Sequence, residues 1–295
     1  MPHNNSKYRQ IVIVSGKGGT GKTTLAAALC ELFENRVVSD TDVDAADLHI
    51  LLKPEILERH EYSGGNKAVI NRELCTGCDL CEEYCRFDAI HDYQVDPLAC
   101  EGCGFCVRLC PENAISFPKA ISGFFQESAI KNGEFVDAEL LPGSGNSGKL
   151  VSEVKKSAAA LASQNQRAWL IVDGPPGIGC PVNASLTGTD LAVIVTEPTV
   201  SGLHDLSRLI ELTQRFRIPS AIVINKSDLN PENTKNIQKF AESENIPFLG
   251  IIPYDDVVLK ALISEKSVIN FPDSSAAVHI CQVYKNILEL LENQK

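Results

Sequence analysis

The stretch Gly16-Lys-Gly-Gly-Thr-Gly-Lys-Thr-Thr24 constrains this chain more than any other feature. It fits G-x-x-x-x-G-K-[ST] and lies between an apolar run suited to a buried strand (Gln10–Val14) and a helical pattern (Lys22–Glu34). Gly16, Gly18, Gly19 and Gly21 let backbone N–H groups turn inward around phosphate oxygens, with Thr20 and Thr24 in the same cradle. The helix N-terminus that follows adds positive potential. In such a loop Lys22 reaches the β- and γ-phosphates and Thr23 holds Mg²⁺.

A strand–loop–helix unit of this kind opens a parallel sheet, and the rest of the chain keeps the rhythm. Strands are expected at Arg36–Asp40, Ala168–Val172, Leu191–Val195, Ala221–Ile224 and Phe248–Ile252. Helices are expected at Lys149–Ser163, Val200–Phe216, Pro231–Ser243, Asp255–Ile263 and Ser274–Glu292. Alternating β and α elements imply an α/β fold with a doubly wound, mostly parallel sheet. The rhythm breaks only in the middle. Ser63-Gly-Gly-Asn66 reads as a turn, 71–117 as short cysteine-rich loops, and Pro142–Gly148 as a flexible stretch. The expected division is therefore 1–66 with 119–295 as one domain and 67–118 as an insertion.

Acidic residues mark two strand ends, where ligands bind in such sheets. Asp40 and Asp42 close the second strand in Val37-Val-Ser-Asp-Thr-Asp42, and Asp173 closes another in Ile171-Val-Asp-Gly-Pro-Pro-Gly177. Asp173 and Asp40 are candidate Mg²⁺ ligands with Thr23, and Gly177 is a candidate γ-phosphate sensor. After a later strand, Asn225-Lys226-Ser-Asp228 resembles the guanine-reading N-K-x-D of GTPases, with Pro253 and Tyr254 placed to line a base pocket.

Eight of the eleven cysteines fall in two identically spaced groups. The first is Cys75, Cys78, Cys81 and Cys85; the second is Cys100, Cys103, Cys106 and Cys110, followed by Pro111. The doubled C-x2-C-x2-C-x3-C is the bacterial two-cluster ferredoxin run, in which the fourth cysteine of each group ligates the other cluster. One 4Fe-4S cluster is thus expected on Cys75, Cys78, Cys81 and Cys110, and a second on Cys100, Cys103, Cys106 and Cys85. Paired C-x2-C zinc sites are the alternative chemistry for the same residues, and the doubled spacing favours clusters. Arg86 stands where the run normally has proline, and a cation beside the first cluster would raise its potential.

The formal charge of −11 argues against nucleic acid as a partner. Residues 71–117 hold nine acids against three bases, an excess suited to steering a basic redox partner. The chain opens polar, without a leader pattern, and no apolar run reaches the roughly 18 residues of a membrane helix. A cytoplasmic protein with no membrane insertion is expected.

Lys17 within the loop, the D-x-D of Asp40 and Asp42, Asn146-Ser-Gly-Lys-Leu150 and Ile178-Gly-Cys-Pro181 together resemble the MinD/ParA family, relatives of Mrp and nitrogenase iron protein. The resemblance covers nearly the whole chain and extends to members with an inserted bacterial-type 2[4Fe-4S] ferredoxin-like module. It implies a deviant Walker A P-loop ATPase that binds ATP and Mg²⁺, with Asn225 and Lys226 at an adenine rather than a guanine. It further implies a dimer, with a second copy or a paralogue, and nucleotides at the interface. Lys17 would act across that interface with Lys22 on transition-state charge, and Asp42 would orient the attacking water. Hydrolysis should be slow and stimulated by a redox or metal-cofactor partner. Three functions fit: an ATP-gated electron carrier, an Fe–S or metal-cofactor assembly factor, or a redox-sensing scaffold ATPase. Cys180 reads as a buried thiol or, less simply, as a bridging metal ligand.

Overall fold

The computed structural model describes residues 8–293; the polar start of the chain and its last two residues lie outside it. Apolar side chains alternate along nearly every central strand, so the sheet is buried on both faces. Ile11, Ile13, Val38, Ile171 and Val193 point into one core and Val12, Val14, Val37, Leu170 and Val172 into the other. Each such side chain contributes about 1.5–3 kcal/mol on burial, and the helices that cover the two faces follow from that alternation.

In chain order, β1 (Arg9–Ser15), α1 (Lys22–Leu32), β2 (Arg36–Asp40), α2 (Leu48–Leu52) and β3 (Glu55–Tyr62) come first. The cysteine-rich excursion follows: β4 (Gly65–Asn66), β5 (Val69–Ile70), α3 (Leu80–Glu83), β6 (Ile90–His91), β7 (Gln94–Val95), α4 (Phe105–Leu109), β8 (Ile115–Ser116) and β9 (Lys119–Ala120). The chain then rejoins the sheet through β10 (Gly123–Ile130) and β11 (Gly133–Leu140), followed by α5 (Ser147–Gln164), β12 (Trp169–Pro176) and α6 (Cys180–Leu186). Last come β13 (Leu191–Thr196), α7 (Val200–Phe216), β14 (Ser220–Asn225), α8 (Pro231–Ser243), β15 (Phe248–Ile252), α9 (Asp256–Ile263) and α10 (Ser275–Glu292).

The nine-stranded sheet has the order β15-β14-β13-β1-β12-β2-β11-β10-β3. From β15 through β11 the neighbours pair in parallel, as the alternating rhythm implies. The far edge is antiparallel, with β10 running opposite to both β11 and β3, and the sheet is mostly parallel as expected. A two-residue loop, Lys131-Asn132, closes the β10–β11 hairpin with Asn132 at φ 61°, the left-handed conformation that asparagine tolerates.

Residues 71–117 depart from the expected plain loops, since two short helices and the β6–β7 ladder lie within them and two further antiparallel ladders close the excursion at its ends. β4 pairs with β9, β5 with β8 and β6 with β7. Their two halves repeat at an interval of 25 residues: Gly77 and Gly102 both have positive φ, as do Asp79 and Gly104, each immediately before a short helix. Among the described residues no helix is long and apolar enough to cross a membrane.

Candidate functional site

The phosphate loop joins the end of β1 to the start of α1. Gly21 sits at φ 87° and packs so closely on Asn225 that a Cβ there would lie 2.1 Å from the amide nitrogen. Glycine is therefore required by both conformation and space. The Asn225 amide donates to the Thr20 carbonyl at 2.8 Å, and Lys226 Nζ donates to the Gly19 carbonyl at 3.1 Å. The end of β14 thus braces the loop from below. Gly16 lies against Asp205 of α7, where a Cβ would come within 2.3 Å.

Lys17 is about a third exposed and lies 3.4 Å from Glu197 Oε2. The other oxygen of Glu197 accepts from Lys226 at 2.5 Å. Glu197 did not stand out in the sequence, although its place just after β13, at the carboxyl edge of a parallel sheet, is the signal that marks it. One carboxylate thereby fixes both loop-facing lysines.

Three carboxylates converge on Lys22. β2 and β12 run in register, with Asp40 beside Asp173. Lys22 Nζ lies 2.7 Å from Asp173 Oδ1, 3.8 Å from Asp42 Oδ2 and 3.4 Å from Thr23 Oγ1. Burial works against the Lys22 charge, but Asp173, Asp40 and Asp42 outweigh it and hold its pKa above the usual value. Burial, and then Asp173, push Asp40 well up. Asp42 is pushed up to about 6, chiefly by burial and against the pull of Lys22.

Asp40, a candidate Mg²⁺ ligand, also organises the backbone that follows it. Its two oxygens accept from the backbone N–H groups of Asp42 and Leu48, at 3.0 and 3.1 Å, so it folds the segment after β2. Asp173 Oδ2 and Thr20 Oγ1 are buried without a hydrogen-bond partner among the described residues. Orphaned oxygens beside a lysine and a threonine hydroxyl suit a hydrated divalent cation and a phosphate chain. Gly177, at φ 91°, donates its N–H to the Ser15 carbonyl at 2.8 Å, so the segment after β12 is latched to the end of β1.

Beside the loop lies a cavity of about 340 Å³ lined by Gly19, Gly21, Thr24, Asn225, Lys226, Pro253 and Tyr254. The residues expected around a base therefore share one pocket. Asp228 does not face it freely: its Oδ1 accepts from the Tyr254 N–H at 2.6 Å, which shapes the pocket wall.

The two cysteine groups are interleaved in space. Cys75, Cys78, Cys81 and Cys110 line one cavity, and Cys85, Cys100, Cys103 and Cys106 line another. No disulfide joins any of them. The Ala89 N–H approaches Cys85 Sγ at 3.4 Å, and the Ala114 N–H approaches Cys110 Sγ at 3.3 Å, so the repeat extends to donors aimed at sulfur. Burial and neighbouring cysteines push the thiols of Cys81 and Cys106 up. Four sulfurs lining one hollow, with no disulfide among them, suit a metal centre that neutralises their thiolates. This donor set, with backbone N–H groups facing sulfur, fits an iron–sulfur cluster in each cavity.

Two expectations change here. Arg86 lines the cavity of Cys85, Cys100, Cys103 and Cys106 rather than the first one, because it follows Cys85, which crosses over. Cys180 is exposed at the start of α6, not buried.

The cysteine-rich excursion is rooted where two hydrogen-bonded routes meet. The Leu140 N–H donates to the Val43 carbonyl, next to Asp42; Leu141 then donates to Ser122, and Ser122 to Tyr62, all within 3.1 Å. On the other side, the Asn146 amide donates to the Gly64 carbonyl at 2.9 Å, and the Tyr62 hydroxyl to the Asn146 carbonyl at 3.3 Å. Asn146 immediately precedes α5, and Gly148 in the first turn of that helix packs against Cys180, just past Gly177.

A family model described as the CobQ/CobB/MinD/ParA nucleotide binding domain matches residues 11–268. An uncharacterized protein of Methanocaldococcus jannaschii is 34% identical over 96% of this chain and 97% of its own length. An uncharacterized ATP-binding protein of the same organism is 28% identical over 94% of this chain and 87% of its own. Among solved structures, the septum site-determining protein MinD of Pyrococcus horikoshii, complexed with Mg-ADP, superposes with a TM-score of 0.59 at 19% identity, covering 98% of this chain and 99% of that one. With its phosphate loop, paired strand-end carboxylates and base-side cavity in the order that such a fold requires, this chain belongs to the CobQ/CobB/MinD/ParA nucleotide-binding family.

Proposed function

We propose that this protein is an ATP-hydrolysing iron–sulfur protein in which nucleotide state governs electron transfer. The observation that carries the reading is the common root of the cysteine-rich excursion. Both segments that would respond to the γ-phosphate, after β2 and after β12, connect to it through short runs of contacts. A discrete change in either segment then has a physical route to the cysteine cavities.

At the nucleotide, the loop N–H groups and Lys22 bind the phosphates, Thr23, Asp173 and Asp40 would hold Mg²⁺, and Asp40 also keeps the Asp42 segment folded. Asn225, Lys226, Pro253 and Tyr254 receive the adenine. The engagement of Asp228 Oδ1 by the Tyr254 N–H favours adenine over guanine, because it occupies one of the two carboxylate oxygens that guanine reading would use. Asp42 orients the water that attacks the γ-phosphorus, and the bond to the departing ADP oxygen breaks. Lys17 comes from a facing subunit to the nucleotide, in a dimer of this chain or with a paralogue.

Cys75, Cys78, Cys81 and Cys110 would hold one 4Fe-4S cluster, and Cys100, Cys103, Cys106 and Cys85 the other. When bound, the clusters supply one-electron carriers at low potential. The surrounding acids repel anions and draw in a basic redox partner.

The test is delivery of electrons from the dithionite-reduced, cluster-loaded protein to a one-electron acceptor dye. Rates should depend on ATP in the wild type and lose that dependence in Lys22→Ala. Equal rates with and without ATP in both proteins would refute the reading.

A further inference from the structure

The outer edge of the sheet carries a side-chain cluster that the nucleotide and cysteine sites leave unused. Glu58 and His60 lie two residues apart on β3 and so project from the same face. Directly across the ladder, Glu58 pairs with Glu127 of β10 and His60 with Phe125. The ligand atoms of Glu58, His60 and Glu127 all lie within 4.8 Å of one another.

Three features make this arrangement hard to explain as an ordinary strand pair. Two carboxylates directly opposite each other on an antiparallel ladder repel and destabilise it. His60 Nε2 is buried with no hydrogen-bond partner among the described residues, and the nearest oxygen of Glu58 stands off at 3.5 Å. A bulge at Leu57, where the register slips between Glu127 and Ser128, alters the local twist just before Glu58. Bulges of this kind re-aim side chains beside functional sites.

The surroundings hold the ligand set in place. The His60 ring stacks on Phe125, with centroids 4.6 Å apart. Ser157 of α5 donates to Glu127 Oε1 at 2.5 Å, leaving Oε2 for another partner. Hydrogen bonds that orient a ligating carboxylate are a regular part of metal sites.

We propose that Glu58, His60 and Glu127 form a binding site for a divalent transition metal, zinc being the ion their chemistry suits best. One imidazole and two carboxylates match its ligand preferences, leaving one position for water. Ligands about 2.1 Å from a shared ion stand about 3.4 Å apart, a closure that rotation of the exposed Glu58 side chain can supply. Bound there, the ion neutralises the opposed carboxylates and cross-links β3 to β10. Those two strands lead into and out of the cysteine-rich excursion, so the ion would stiffen its root.

The test is equilibrium dialysis of the cluster-loaded protein against zinc chloride under anaerobic conditions, with zinc and iron both measured. The wild type should retain one zinc per chain with its iron content unchanged, and His60→Gln and Glu58→Gln should each lose that zinc. Thermal unfolding gives a second readout. Zinc should raise the wild-type midpoint by a few degrees and leave that of Glu58→Gln where it was. Glu58→Gln without zinc should be at least as stable as the wild type, because it removes the repulsion with Glu127. Absence of stoichiometric zinc in the wild type, equal zinc in the variants, or zinc gained only as iron is lost would each overturn the proposal.

Discussion

The side-chain amide of Asn146 donates a 2.9 Å hydrogen bond to the carbonyl of Gly64, fastening the start of α5 to the root of the cysteine-rich excursion. Asn146 itself sits at φ 70°, so Asn146→Gly keeps the backbone conformation and removes only the amide. In that variant ATP affinity and iron content should stay at wild-type levels. The acceleration of electron delivery by ATP should fall about threefold to tenfold, the size of a lost coupling term. Stopped-flow measurement of delivery rates, with and without ATP, checks this.

Lys22 neutralises Asp173 at 2.7 Å and stands near Asp42 at 3.8 Å, both inside the fold. Lys22→Ala removes a phosphate ligand and leaves buried carboxylates without their counter-charge. Nucleotide binding should be lost at millimolar ATP, and the nucleotide-free protein should lose about 3 kcal/mol of stability. Adding Asp173→Asn should recover much of the stability and none of the binding. Urea unfolding and calorimetric titration separate the two effects.

Asp42 titrates at about 6, raised mainly by burial. Its unfolded pKa is near 3.9, so the folded protein holds this proton more tightly than the unfolded chain does. The contribution to stability is complete below about pH 4 and is lost as pH rises through about 6. Asp42→Asn escapes that loss. Without nucleotide it should be more stable than the wild type at pH 8 by about 1 kcal/mol, allowing for solvent screening, and the gap should close towards pH 4. Hydrolysis should nevertheless fall by about two orders of magnitude or more, as for removal of a positioned catalytic group. Unfolding curves across this pH range, with a phosphate-release assay, test both.

Cys110 is remote in sequence from Cys75, Cys78 and Cys81 but shares their cavity. In Cys110→Ser the cluster lost should be the one held by the first group, with the second intact. Iron should fall from about eight to about four atoms per chain. The same loss should follow from Cys75→Ser, and no further loss from the double variant. If the double variant lost all iron, the interleaved assignment would be wrong.

The phosphate loop was legible because its chemistry is local: the spacing of Gly16 to Thr24 forces the turn whatever surrounds it. The parallel strands other than β11, whose sequence mixes charged and apolar residues, were legible because they are buried on both faces and read as apolar runs. β3 and β10 were not, because Glu55–Tyr62 and Gly123–Ile130 mix charged and apolar residues at an edge that is only half covered. The turn Lys131-Asn132-Gly133 was the one local sign of the hairpin. The cysteine spacing identified which thiols would meet, but it placed Arg86 by sequence neighbour rather than by the crossing of Cys85. Glu197 and the engagement of Asp228 by Tyr254 depend on long-range contacts, which no spacing rule encodes.

The most direct test of the account is a potentiometric titration of the cluster-loaded dimer, followed by electron paramagnetic resonance, without nucleotide and with ATP trapped by Asp42→Asn. If both nucleotide-responsive segments reach the cysteine cavities through their common root, ATP should shift the midpoint of at least one cluster by tens of millivolts, about 60 mV for each tenfold change in the one-electron equilibrium. Lys22→Ala should show no shift. Identical midpoints with and without trapped ATP, in a protein shown to bind the nucleotide, would contradict the proposed coupling.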